Sequence, residues 1–186
     1  YQTNTSRSNY FAYHDYNTIS DLGEQDYLKK LYLESELKID SLQIVEKNVT
    51  QIKSKILSSK ELDDENIIYV NLFAFNPYKN NPFTATNRNS IVDFPFKQEF
   101  KFLSNISLAE GDTYEVPTNL NAVLGENDIT IRYTTTYNEH AKKLSVVVDL
   151  KINKTDFIPF EYTELKESFE SIVKKLNEPV VIKRSK

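Results

Sequence analysis

The chain has 186 residues, enough for one domain with a real core. Its net charge of −4 disfavours nucleic acid as a partner, and the absence of cysteine excludes disulfides, thiolate nucleophiles and cysteine metal sites within it. Three glycines leave no Gly-rich phosphate loop, and no run of eighteen apolar residues offers a membrane span.

A hydrophobic content of 39% and an aromatic content of 12% argue for a folded body, and the excess of Tyr and Phe suits strands. The chain starts at Tyr1 and contains no methionine, which reads as a processed or excised piece of a longer protein.

Residues 1–9 are polar and weakly patterned, a tail or the end of an incoming strand. The aromatic run Tyr10 to Tyr16 predicts a strand. Asp21 and Glu24 have capping-box spacing, and a helix is predicted over 24–37 with Tyr27, Leu28, Leu31 and Tyr32 on its apolar face. Ile39, Leu42 and Ile44 mark a strand, and Ile52, Ser54 and Ile56 mark another. Residues 60–65 form an acidic turn that lacks the ligand spacing of a calcium loop. The apolar run 67–75 predicts a central strand buried on both faces.

The organising stretch follows, at 81–96, reading NPFTATNRNSIVDFPF. Pro82 and Pro95 fix their own φ, extend Asn81 and Phe94, and are excluded from a central strand. Phe83, Phe94 and Phe96 are large apolar anchors for a rigid crossing between two runs of strands. Arg88 and Asp93 are spaced for a clasp across the loop. Exposed, such a pair contributes ~0–1 kcal/mol. Partly buried, losing one partner costs about 3–5 kcal/mol.

Downstream, Phe100, Phe102, Ile106 and Leu108 read as one strand, with a turn at 109–112. Tyr114 to Pro117 is a short strand stopped by proline, followed by a brief segment at 121–124 and a second turn at 125–128. Ile129, Ile131 and Tyr133 alternate with polar residues, and residues 137–140 turn the chain. Leu144, Val146, Val148, Leu150 and Ile152 repeat with period two. The period then changes to that of a helix. Pro159 suits its first turn, and Tyr162, Leu165, Phe169, Ile172, Val173 and Leu176 form one stripe. Val180 to Ile182 is a final strand. Many short strands separated by turns indicate a mainly β fold, an antiparallel immunoglobulin-like sandwich with packed helices near 24–37 and 160–176.

Little in the chain suggests chemistry. His14 and His140 are the only histidines, with no nucleophile elbow and no zinc-ligand spacing. Carboxylate pairs such as Asp63–Asp64 and Glu161/Glu164 read as solvated surface. Tyr10, Tyr13 and Tyr16 read as core and sheet surface, with an aromatic platform for sugar or peptide as the alternative. No catalytic, cofactor-binding or metal residue is assigned, and no cofactor is expected.

The ordered set Asn81-Pro82-Phe83, Arg88, Val92-Asp93-Phe94, Tyr114-Glu115-Val116-Pro117, Ile152, Pro159, Tyr162, Leu165, Phe169 and Val180 to Lys183 resembles the C-terminal portion of exported bacterial transglutaminase-like proteins. The resemblance runs over about residues 24–186. It implies a preceding β-rich domain, a papain-like core carrying Cys, His and Asp, and a closing β-sandwich domain of unknown function. It also implies an exported protein of the periplasm or cell surface of a Gram-negative bacterium. Pro95 stands where the family often has glycine, and the family's catalytic cysteine lies upstream of this region, so no catalytic residue carries over. The resulting expectation is a non-enzymatic C-terminal module, residues 24–186, preceded by the end of another segment at 1–23. Its partner is the upstream core or another protein chain. A stand-alone adhesion or glycan- or peptide-binding sandwich is the alternative.

Overall fold

The computed structural model describes residues 2–35, 38–59, 66–72 and 78–185. In chain order these hold β1 (Gln2–Asn9), α1 (Tyr10–Leu22), α2 (Glu24–Ser35), β2 (Lys38–Lys47), β3 (Gln51–Ser59), β4 (Ile67–Val70) and β5 (Val92–Asp93). Next come β6 (Gln98–Ser107), β7 (Thr113–Glu115), β8 (Leu120–Leu124), β9 (Ile129–Asn138) and β10 (Lys143–Ile152). The last are β11 (Asp156–Phe157), a 3-10 turn (Pro159–Glu161), α3 (Tyr162–Asn177) and β12 (Val180–Lys183).

The fold is mainly β and antiparallel, as the strand count and turn spacing predict. Seven strands form one sheet in the order β2-β3-β1-β6-β10-β9-β8. A small sheet, β4-β12-β7, and a short pair, β11-β5, complete the set. Period two decides which side of the large sheet each residue takes. On β10, Leu144, Val146, Val148, Leu150 and Ile152 are all buried on the inner face. Phe100, Phe102 and Ile106 of β6 and Ile129, Ile131 and Tyr133 of β9 join them.

Two cores share that inner face. The larger unites these residues with Ile68 and Val70 of β4, Val180 and Ile182 of β12, and Leu165, Phe169, Ile172 and Leu176 of α3. The smaller unites Ile52 and Ile56 of β3 with Ala12 and Ile19 of α1 and Tyr27 of α2. Between them runs β1, whose inward side chains are polar. Thr3 Oγ1 lies 3.3 Å from Ser104 Oγ, and Thr5 Oγ1 lies 2.7 Å from Ser54 Oγ. The Arg7 guanidinium donates to Asp15 Oδ2 at 2.7 Å and sits 6.0 Å from the centre of the Phe100 ring.

Several expectations need correction. The run Tyr10 to Tyr16 is the start of α1, not a strand. Ala12, Tyr16 and Ile19 recur at helical spacing and meet the smaller core, so tertiary packing outweighs aromatic strand propensity. Asp21 caps nothing, because it lies inside the last turn of α1. Gly23, at φ +82°, ends that helix by donating its N–H to Ile19 O at 2.9 Å, and its own carbonyl accepts from Tyr27 N. The predicted helix at 24–37 is α2; Leu37, and the side chains of Leu28, Leu31 and Tyr32, lie outside the described residues.

The run 67–75 gives the outer strand β4, paired to β12. Ile68 and Val70 point inward while Ile67 and Tyr69 are exposed; residues 73–77 and the acidic turn at 60–65 lie outside the described residues. Of the two readings of residues 1–9, a tail or a strand, the structure has the strand, β1. It pairs with both β3 and β6.

The Arg7–Asp15 pair is mostly buried, with 13% and 8% of the two side chains exposed. Asp15→Ala leaves the guanidinium without its carboxylate and is expected to lower unfolding free energy by about 3–5 kcal/mol, read from urea denaturation curves.

Candidate functional site

Residues 78–85, ahead of β5, lie across α3 as a strap. Asn81 turns it: its Oδ1 accepts from Phe83 N at 2.9 Å and its Nδ2 donates to Lys166 O at 2.9 Å. Tyr162 Oη donates to Ala85 O at 3.2 Å, and Lys166 Nζ donates to the same oxygen at 3.1 Å. Asn177 Nδ2 holds Lys79 O at 3.0 Å, and Tyr78 Oη donates to Gln98 Oε1.

These bonds fix a ring cluster centred on Phe169, which is fully buried. Phe83 meets Phe169 edge to face at 4.8 Å, Phe94 at 6.0 Å and Tyr162 at 6.1 Å. Tyr78 meets Phe169 at 5.1 Å, and Phe94 stacks on it at 6.2 Å. Each such pair adds about 0.5–1.5 kcal/mol beyond its area burial.

Of the residues singled out in the sequence, Asn81, Phe83, Phe94 and Tyr162 therefore meet in one pin. Pro82 is exposed at its bend, and Pro159 opens the 3-10 turn ahead of α3. Arg88 and Asp93 do not form the expected clasp. Arg88 is exposed and reaches Ser90 Oγ at 3.3 Å, while Asp93 sits on β5 opposite Asp156 of β11. Local bonds satisfy the arginine, and the β5-β11 ladder fixes the aspartate elsewhere. Phe96 is no buried anchor either, being 55% exposed.

Beside the pin, Lys154 Nζ bonds Glu161 Oε1 at 2.5 Å, and Ile158 N donates to Glu161 Oε2 at 2.9 Å. Lys154, then the Ile158 N–H, hold the Glu161 carboxyl below its ordinary value. On β6, Lys101 first, with Lys151, holds Glu99 low in the same way, against the opposing effect of burial. Inside the core, burial and then the charge of Glu178 push the Tyr133 phenol up, and Lys175 Nζ lies 4.9 Å over its ring.

His14 and His140 are exposed, and Asp15 is engaged by Arg7. Among the described residues no cluster of three or more His, Cys, Asp or Glu side chains could hold a metal ion, and no helix is long and apolar enough to cross a membrane. Tyr13 is exposed and Tyr16 half-buried against the smaller core; the Tyr10 side chain lies outside the described residues.

A second feature escaped sequence reasoning. The outward face of the large sheet carries a hollow of about 520 Å³, whose lining includes Ser6, Lys53, Lys101, Arg132 and Asp149. Period two marks each as outward on its own strand. Only the register between strands brings them side by side.

Fold and pin together define a mainly β domain with a helix strapped onto its sheet. The chain belongs to the family described as a domain of unknown function with a solved structure, DUF3858, whose family model matches residues 66–182. No curated protein and no solved structure matches the chain. The match spans β4 to β12 and contains every buried residue of the larger core, while the smaller core lies wholly before it.

Phe83→Ala opens the pin and is expected to cost about 3–5 kcal/mol, whereas Arg88→Ala at the exposed loop stays within about 0.5 kcal/mol; thermal denaturation of both variants separates the two. The depressed carboxylates set the acid response. Their contribution is present above the ordinary value of 4.5 and is lost as pH falls through the lower folded values. Melting temperature should therefore drop below pH 4.5, and drop less steeply in Glu161→Gln.

Proposed function

We propose that this chain is a non-catalytic module of an exported transglutaminase-like protein, packing against a catalytic core or docking a partner chain. The observation that carries this reading is the ordered motif set, whose Asn81, Phe83, Phe94, Tyr162 and Phe169 converge on a single pin within the family match. A residue set kept together by packing rather than by a polar cleft suits a structural or docking role. The chain has no cysteine, so it does not itself supply the nucleophile that such a core uses. Export to the periplasm or cell surface of a Gram-negative bacterium belongs to the same reading.

Intact mass of the native protein, taken with and without denaturant, tests it. The expected result is a species heavier than 21.7 kDa in both conditions, carrying a cysteine-containing core on the same polypeptide. Transamidation or peptide hydrolysis by the isolated chain sinks the reading. The alternative, an envelope-binding sandwich, draws its support from the hollow on the outward sheet face.

A further inference from the structure

Five neighbouring strands, β3, β1, β6, β10 and β9, turn six cations outward: Lys53, Lys55, Lys101, Arg132, Lys143 and Lys151. On these five strands two carboxylates, Glu99 and Asp149, accompany them, with Asp40 and Glu46 of β2 at the sheet's edge beside Ser59 and Lys53, on a chain whose net charge is −4. None of the outward residues on these strands is buried. The sheet is thus a positive face on a negative molecule, which favours an anionic ligand.

The register arranges the centre of this face into a line. Lys53 lies opposite Ser6, Ser6 opposite Lys101, Lys101 opposite Asp149, and Asp149 opposite Arg132. Cations therefore recur at every second strand, ~10 Å apart, with a hydroxyl and a carboxylate between them. Lys53 pairs with Glu46 at 2.7 Å and Lys101 with Glu99 at 2.9 Å, all four side chains being partly exposed, and Lys101 also feels the charge of Asp149. Among the described residues Arg132 makes no hydrogen bond or salt bridge. Asp149, half-buried, lines the hollow, with Oδ1 beneath the surface and the rest of its side chain part-exposed on the outward face. Leu103 and Val147, paired across β6 and β10 beside the line, add an apolar step.

We propose that this line binds an acidic polysaccharide in which anionic rings alternate with neutral, hydroxyl-bearing ones. Anionic groups meet Lys53, Lys101 and Arg132. A hydroxyl of the intervening ring donates to Asp149, and the carbon face of a ring rests on Leu103 and Val147. Other polyanions fit less well. A nucleic acid would bring a phosphate against Asp149, and the line offers no aromatic side chain for base stacking. The side chains of an extended acidic peptide repeat every ~7 Å on one face and fall out of step with the cations.

Calorimetric titration of the chain with hyaluronan oligosaccharides, whose uronate alternates with a neutral amino sugar, tests this. Dextran and poly-glutamate serve as comparison ligands. Saturable binding that weakens with salt is expected, with affinity falling at least tenfold in Lys101→Glu and in Arg132→Glu. Asp149→Ala should also weaken binding, although it removes a negative charge. Lys174→Glu, on the exposed side of α3, should leave affinity unchanged. Where Arg132→Glu disturbs folding, judged by circular dichroism, Lys53→Glu at the far end of the line replaces it. No saturable binding to hyaluronan overturns the proposal. So does tighter binding after Asp149→Ala, or an equal loss in Lys174→Glu, either of which marks diffuse charge attraction. Poly-glutamate binding as tightly as hyaluronan overturns it in favour of an acidic protein partner.

Discussion

The structure depends on β1 being hydrogen-bonded along both of its edges. On one side it pairs with β3, on the other with β6, so residues 2–9 join two cores that otherwise share no buried residue. A strand of Thr, Ser, Asn and Gln contributes little by burial of apolar surface. Its stability comes from ladder bonds and from pairing of its inward side chains with Ser104, Ser54 and Asp15. A polar strand in this position is tolerable because those partners are supplied, since an unmet buried donor or acceptor is costly. The seam specifies register as well. Slipping β1 by one residue would turn Thr3, Thr5 and Arg7 outward and separate Arg7 from Asp15.

The pin has the opposite character. Phe169 receives Phe83, Phe94 and Tyr78 on one helix position, while the strap backbone is tied by Asn81, Tyr162 and Lys166. Bonds to strap carbonyls matter here because a segment without ladder partners must satisfy its polar groups some other way. The ring contacts place the strap, and the hydrogen bonds prevent it from sliding along α3.

Most of the larger core was legible in the sequence. The alternation from Leu144 to Ile152 and the helical stripe from Tyr162 to Leu176 each have one dominant period, and the structure follows both. The aromatic run at 10–16 misled because Tyr and Phe favour strands, whereas the packing that decided its state comes from Ile52 and Ile56, some forty residues away in sequence. Arg88 and Asp93 misled for a related reason. Separation along a loop states a reach, and the β5-β11 ladder that fixes Asp93 could not be inferred from the loop itself. Asn81, Phe83 and Tyr162 were recognisable as members of a set, but not as contacts.

The outward line was invisible for a deeper reason: each of its members is an ordinary solvent-side residue of an alternating strand. Its alignment arises only when the seam is formed. Lys53 and Ser6 come from the part before the family match, and Lys101, Asp149 and Arg132 from within it. The pairing of β1 with β6 sets the two halves of the line in step. A family domain lacking β1 and β3 would keep Lys101, Asp149 and Arg132 while losing Lys53 and Ser6, and so would present a shorter line. The strand that joins the two cores on one face of the sheet thereby sets the length of the charged line on the other.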